Sequence, residues 1–261
     1  MSTRARQYDA VVTARHRLSP HLVRLVLGGP GMSEFASTGV PDEWVGLVVP
    51  GQFQSRYYTV RAWDGRELTL DVVLHADGLV TGWASRDCVG EPVAVTEPRG
   101  TFAPPPRARW VHLVGDLTGL PAMARIAERL PQLAPGAELR IWAEVADDLP
   151  GYLPDGVEAT WLPPPGEEAS RLAEVVGGLP WPEGEGYFWM AGESAQMRAI
   201  RRLLMRERPG LAHDVMGYWR GGSRRQPRAV DPGPLYRAGV AAGLSDAEIW
   251  AAYDAAAEGR G

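Results

Sequence analysis

Apolar and polar positions alternate with period two over the first hundred residues, in short runs separated by Gly, Pro and Asp. Tyr8–His16, His21–Gly29, Glu43–Gly51, Ser55–Trp63, Arg66–His75 and Gly90–Pro98 each mix β-branched, aromatic and polar residues over strand lengths. This pattern predicts six strands. With no long helix between them, they suggest a small antiparallel barrel. One segment breaks the rhythm: Asp77–Asp87, DGLVTGWASRD, predicts a single helical turn between two strands.

Ala103–Arg109, APPPRAR, then reads as an extended linker, because consecutive prolines neither continue a helix nor sit inside a sheet. Beyond it the period changes. Strand patterns at 110–115, 138–145, 158–163, 187–192 and 213–219 alternate with helical spacing at 120–130, 167–176 and 194–208. Alternating strands and helices imply right-handed crossovers and a parallel sheet. The expected fold class is therefore α/β with two domains: an N-terminal six-stranded antiparallel β-barrel at 1–106 and a C-terminal doubly wound parallel α/β domain at 107–222. A C-terminal extension, 223–261, carries a capping box at Ser245 and Glu248 ahead of an Ala-rich helix.

Composition narrows the function classes. The chain has 261 residues, 27 basic against 32 acidic, for a formal charge of −5. That balance disfavours a protein that grips a phosphate backbone, so no nucleic-acid partner is expected. Lys and Asn are absent, so an anion site must use Arg, backbone amides or hydroxyls. One cysteine, Cys88, excludes an internal disulfide, and the five histidines lack HExxH spacing. No stretch of about 18 apolar residues occurs, so membrane insertion is not expected and the chain is read as cytoplasmic, as a monomer.

No Walker loop or GxGxxG is present. Ser194, in Gly192-Glu-Ser-Ala-Gln196, follows a strand and precedes a helix but lacks the second glycine of a nucleophile elbow, and reads as a helix cap. What remains is distributed. In Arg56–Arg61, RYYTVR, alternation puts Arg56, Tyr58 and Val60 on one side of a strand. An Arg fork with a phenol suits a flat, phosphate-bearing ligand, though a half-buried strand with solvated arginines has the same pattern. His75, Gly78 and Thr81 lie where a strand runs into a helix start, a place where unpaired N–H groups face an anion. Asp116 and Thr118 occupy the first strand-to-helix turn of the second half, Gly192 and Glu193 a later strand end, and Tyr218, Trp219 and Arg220 the last. Ligands of open α/β sheets bind at such carboxyl ends.

Together these segments resemble the siderophore-interacting proteins, FAD-dependent ferric-siderophore reductases of the ferredoxin-reductase superfamily. RYYTVR is similar to the family's RxYTxR, and LHADGLVTGWA to its LH-x-x-G-x-x-S-x-WA, with Thr81 in the hydroxyl position. GDLTGLPAMARIAERLP is similar to its GDETALPA segment; WMAGE and YWRGG also match. The likeness runs from about Tyr8 to Gly222. It departs at Leu117, where the family has an acid, and at Gly119, where it has alanine.

The resemblance implies FAD, with NADPH or NADH as electron donor and a ferric siderophore or iron chelate as acceptor. By position it implies that Arg56, Tyr58, Thr59 and Val60 hold the flavin, and that His75, Gly78, Thr81 and Trp83 line its pyrophosphate and adenine side. Asp116 and Thr118 fall where nicotinamide meets flavin, Gly192 and Glu193 on the nucleotide side, and Tyr218 and Trp219 at the flavin. The basic stretch Arg220, Arg224 and Arg225 offers an attractive patch for an anionic iron complex. No protein nucleophile is required when a cofactor carries the chemistry. A non-catalytic binder of flavin or iron chelate and a general flavin or quinone reductase are the alternative readings.

Overall fold

The computed structural model describes residues 6–52, 54–75, 78–164 and 170–220. Arg224, Arg225 and the capping box at Ser245 lie outside the described residues.

Six strands close into the expected barrel: β1 (Gln7–Ser19), β2 (Leu22–Gly28), β3 (Trp44–Val48), β4 (Arg56–Trp63), β5 (Leu68–Val73) and β6 (Pro92–Thr96). Their order around the barrel is β1-β2-β5-β4-β3-β6, all antiparallel. Period-two patterning fills the interior from every strand, with Val12, Val23, Leu25, Leu47, Val60, Leu70 and Val95 among the buried set. The helical turn expected at Asp77–Asp87 is α1 (Leu79–Ser85), and it plugs the barrel with Val80 and Trp83. A short 3-10 turn at Pro30–Met32, absent from the sequence reading, brings Met32 into the same core.

The second half forms a five-stranded parallel sheet, ordered β11-β10-β7-β8-β9. Its elements are β7 (Trp110–Asp116), α2 (Leu120–Leu133), β8 (Glu138–Glu144), β9 (Glu158–Leu162), α3 (Leu172–Gly177), β10 (Gly186–Glu193), α4 (Ser194–Glu207) and β11 (Ala212–Trp219). β7 and β10 are buried along their whole length, as parallel strands covered on both faces must be. Among the described residues no helix is long and apolar enough to cross a membrane.

The two halves share a seam that is polar as well as apolar. Leu22 and Phe102 join the core beneath α2. Asp42 accepts hydrogen bonds from the Thr101 and Phe102 amides (2.9 and 3.0 Å) and from the Trp189 indole at 3.2 Å. Arg125 on α2 donates to Glu43 at 2.7 Å and to the Val60 carbonyl at 2.8 Å, all three groups being buried. Arg24 forks Asp71, and Tyr152 from beyond β8 donates its hydroxyl to the same carboxylate. Buried charges need a partner or several hydrogen bonds: Glu43 and Asp71 pair with Arg125 and Arg24, and Asp42 is held by amide, hydroxyl and indole donors.

Candidate functional site

β4 supplies the barrel's contribution. Val60 is fully buried in the barrel core, and Tyr58 packs against that core, where burial pushes its phenol up to about 12. Arg56 is exposed at the strand's open end, and Tyr57 is 70% exposed. The opposite side of β4 meets the α/β half. Thr59 is 4% exposed, and Arg61 donates through both terminal nitrogens to Glu128 on α2 at 2.6 and 3.0 Å. Arg61 belongs to this seam but was not singled out in the sequence; the RxYTxR spacing was the available signal.

Among the buried polar atoms at this seam, Arg61 Nε lacks a partner, and the hydroxyls of Thr59 and Tyr218 reach no protein partner but one another. Thr59 and Tyr218 face each other across it, from β4 and from the end of β11, and burial raises the Tyr218 phenol well above its ordinary value. Buried polar groups normally find partners, because an unsatisfied one costs about 1–3 kcal/mol. Two buried hydroxyls from two domains, with bonding capacity left beyond their mutual contact where the end of β11 meets β4, fit a flat ligand with a polar rim. FAD meets that description.

The second cluster is His75, Gly78 and Thr81. Gly78 has φ +136° and precedes α1; a Cβ there would lie 3.0 Å from His75 Cε1 and 3.7 Å from Thr81 Oγ1. The glycine therefore keeps open a cradle between an exposed imidazole and a buried hydroxyl. Trp83 faces elsewhere. It is buried in the barrel core and donates its indole N–H to Glu91 at 2.8 Å.

At the carboxyl edge of the sheet, Asp116 closes β7. Its Oδ1 accepts from the Thr118 amide at 2.8 Å and the Thr118 hydroxyl at 2.5 Å, and its Oδ2 accepts from the Trp219 indole at 2.6 Å. Burial is the largest influence on this carboxyl and raises it above the ordinary value, against those three donors. Gly192 is needed for the fit, since a Cβ there would stand 2.7 Å from Asp116 Oδ2. Glu193 is buried and accepts from the Ser170 amide at 3.2 Å. Ser194 donates its hydroxyl to the Trp219 carbonyl at 2.8 Å, so it is engaged in pinning β11. Arg220 is exposed just beyond that strand.

The two departures from the family pattern have local accounts. Gly119 cannot carry the alanine, because a Cβ would lie 2.8 Å from the Ala191 carbonyl oxygen. Leu117 packs against the core beneath α2. Glu144, a buried carboxylate ending β8 beside Asp116, was passed over in the sequence; an acid closing a predicted strand was the signal.

Comparison with known proteins follows the same division. The model for the siderophore-interacting FAD-binding domain matches residues 51–102, and that for the siderophore-interacting protein family matches 108–222. A solved siderophore utilization protein from T. fusca is 31% identical, with a TM-score of 0.72 over 83% of this chain and 94% of that one. The ferric vibriobactin reductase of Vibrio cholerae is 29% identical over 180 residues, 66% of each chain. The NADPH-dependent ferric-chelate reductase of Escherichia coli is 28% identical over 219 residues, 74% of this chain and 85% of that one. The chain thus belongs to the siderophore-interacting protein family.

Proposed function

We propose that this protein is an FAD-dependent oxidoreductase that takes electrons from NAD(P)H and delivers them to Fe(III) held by a siderophore or similar chelate, so that Fe(II) is released. The observation that carries the reading is the pair of buried hydroxyls of Thr59 and Tyr218, which meet one another and no other protein group where the barrel meets the end of β11. FAD, when bound, supplies both the acceptance of a hydride and the release of single electrons, neither of which a side chain provides.

The chain's own residues orient and shield. Thr59 and Tyr218 satisfy the polar rim of the ring system, and Arg56, with Tyr58 and Val60 fixing β4 from within the barrel, directs the ligand's polar end. His75, Gly78 and Thr81 cradle its pyrophosphate. Asp116, held by Thr118 and Trp219, and Glu193 beyond Gly192 bound the nucleotide side. The exposed faces of Tyr57 and Trp219 offer ring surface to an aromatic chelate, and Arg220, Arg224 and Arg225 offer charge to an anionic one. The reading sets the protein as a cytoplasmic monomer, with the barrel ending near 106 and the nucleotide domain near 222.

The test is a visible spectrum of the purified protein, reconstituted with FAD if colourless, followed by anaerobic NAD(P)H and then a ferric catecholate. Bleaching by NAD(P)H and recovery of colour with the iron complex is expected. Failure to retain FAD after reconstitution overturns the proposal. Recovery with quinones but not with ferric chelates makes the protein a general reductase instead.

A further inference from the structure

Helix α2 grips strand β4 at two points. Arg125 donates from Nη1 to the Val60 carbonyl at 2.8 Å and from Nη2 to Glu43 Oε1 at 2.7 Å. Three residues on, Glu128 accepts both terminal nitrogens of Arg61, at 2.6 and 3.0 Å. Positions three apart are neighbours on a helix surface, so the two grips close on consecutive residues of one strand. Val60 is held at both its backbone groups, because its N–H donates to the Glu43 carbonyl at 2.8 Å. Glu43 is itself fixed: its buried carboxylate also accepts the Thr38 amide at 2.6 Å and the hydroxyls of Ser37 and Thr38.

Stability alone is a poor reason for such a device. A buried ion pair recovers little more than its desolvation cost, and apolar residues of similar volume often do as well. What a planar guanidinium adds is direction, since its fork fixes where two acceptors lie. Here the fixed parts are the two that must meet for a reaction between stacked rings. On β4, Val60 follows Thr59, whose hydroxyl meets Tyr218. Helix α2 begins at Leu120, directly after the turn in which Asp116 holds Thr118. The strand assigned to the flavin and the helix that opens at the nicotinamide turn are therefore tied to one another directly.

We infer that Arg125 and the Arg61–Glu128 pair are positioning residues, which set how the nicotinamide ring overlaps the flavin by fixing α2 against β4. The inference rests on the reading that FAD lies at β4 and a pyridine nucleotide at the carboxyl edge of the sheet. It gives the last arginine of RYYTVR a task between the domains in place of ligand binding.

The test uses the FAD-loaded protein and two variants. Arg125→Lys keeps a cation for Glu43 and loses the fork that also reaches Val60. Glu128→Ala opens the other grip at a side chain that is 40% exposed, where folding is least at risk. Both are expected to retain FAD. In anaerobic stopped-flow reduction by NAD(P)H the limiting rate should fall by about ten-fold or more in each, because small displacements of reacting groups are costly. The NAD(P)H concentration giving half that rate should stay where it is. The long-wavelength charge-transfer absorption of the reduced protein with NAD(P)+, which reports ring overlap, should weaken in step. Full-rate reduction with undiminished charge-transfer absorption in both variants overturns the inference, and in Glu128→Ala alone it removes the Arg61–Glu128 pair from the assignment. A raised half-saturating concentration at an unchanged limiting rate also overturns it, by assigning these residues to nucleotide binding. Loss of FAD from both variants overturns it too, by assigning them to the cofactor site. If the unaltered FAD-loaded protein is not reduced by NAD(P)H, the reading on which the inference rests has failed, and the inference with it.

Discussion

Trp219 donates its indole N–H to Asp116 at 2.6 Å, joining the end of the last strand of the parallel sheet to the end of the first, 103 positions earlier. The bond holds the end of β11 over the sheet edge, next to the residue whose hydroxyl meets Thr59. It also supplies one of three donors that oppose the effect of burial on Asp116. Trp219→Phe removes that donor while keeping the ring. Hydrogen bonds to charged groups favour the ionised form, so losing this donor should raise the carboxyl further. The acidic limb of the pH profile for flavin reduction is expected to move to higher pH. An unmoved limb would show that Asp116 does not titrate in the step measured.

The two buried hydroxyls at the seam make an opposite pair of demands. Replacing both members of a buried hydroxyl pair by apolar groups of the same shape is nearly neutral, so Thr59→Val and Tyr218→Phe together should leave the melting temperature of the FAD-free protein nearly unchanged. Each should weaken FAD binding by roughly ten-fold, the loss of about 1–1.5 kcal/mol of hydrogen bonding. Fluorescence titration of the apoprotein with FAD checks the second part, and differential scanning calorimetry the first. Loss of stability with undiminished FAD affinity would assign both hydroxyls to the fold.

Gly119 separates steric need from backbone need. Its φ of −83° is open to any residue, so the obstacle to alanine is the Ala191 carbonyl 2.8 Å from the added Cβ. Gly119→Ala should therefore destabilise by about 1–3 kcal/mol through overpacking, despite alanine's better helix propensity. Urea denaturation measures it. A stabilised variant would mean that β10 yields at Ala191.

His112 gives the stability a pH dependence. It is buried on β7 against Trp110, Trp142 and Trp181, with neither ring nitrogen partnered, and burial lowers it from 6.5 to about 4. The folded protein holds the neutral ring, while the unfolded chain takes up a proton below about 6.5. Stability is thus fully present above that pH and is lost as pH falls towards 4, by up to about 3 kcal/mol. In His112→Phe that portion should vanish, so melting temperatures of the two proteins should converge or cross between pH 7.5 and 4.5. Parallel curves would place the acid sensitivity elsewhere.

The elements were legible because their signals are local. Period two in the first hundred residues, the proline run at 104–106 and the alternation of strands with helices follow from the geometry of single elements, and barrel and parallel sheet follow from those. The five motif segments were likewise readable, since each sits on one turn or strand end. What the sequence could not show is which side chains those ends bring together. Trp83 belongs to a recognisable motif, yet it turns into the barrel core, because alternation along α1 is settled by what packs beneath it. Thr59 and Tyr218 are separated by most of the chain and meet only because β11 lies against the barrel seam. Asp116 looked like a turn residue; its burial and its bond to Trp219 arise from parallel strands ending at one level. Glu144 drew no notice until the parallel register set it beside Asp116 at the end of β8. Hydrophobic periodicity fixes local structure through short-range geometry, whereas the site is built from long-range contacts that only the closed barrel and the doubly wound sheet create.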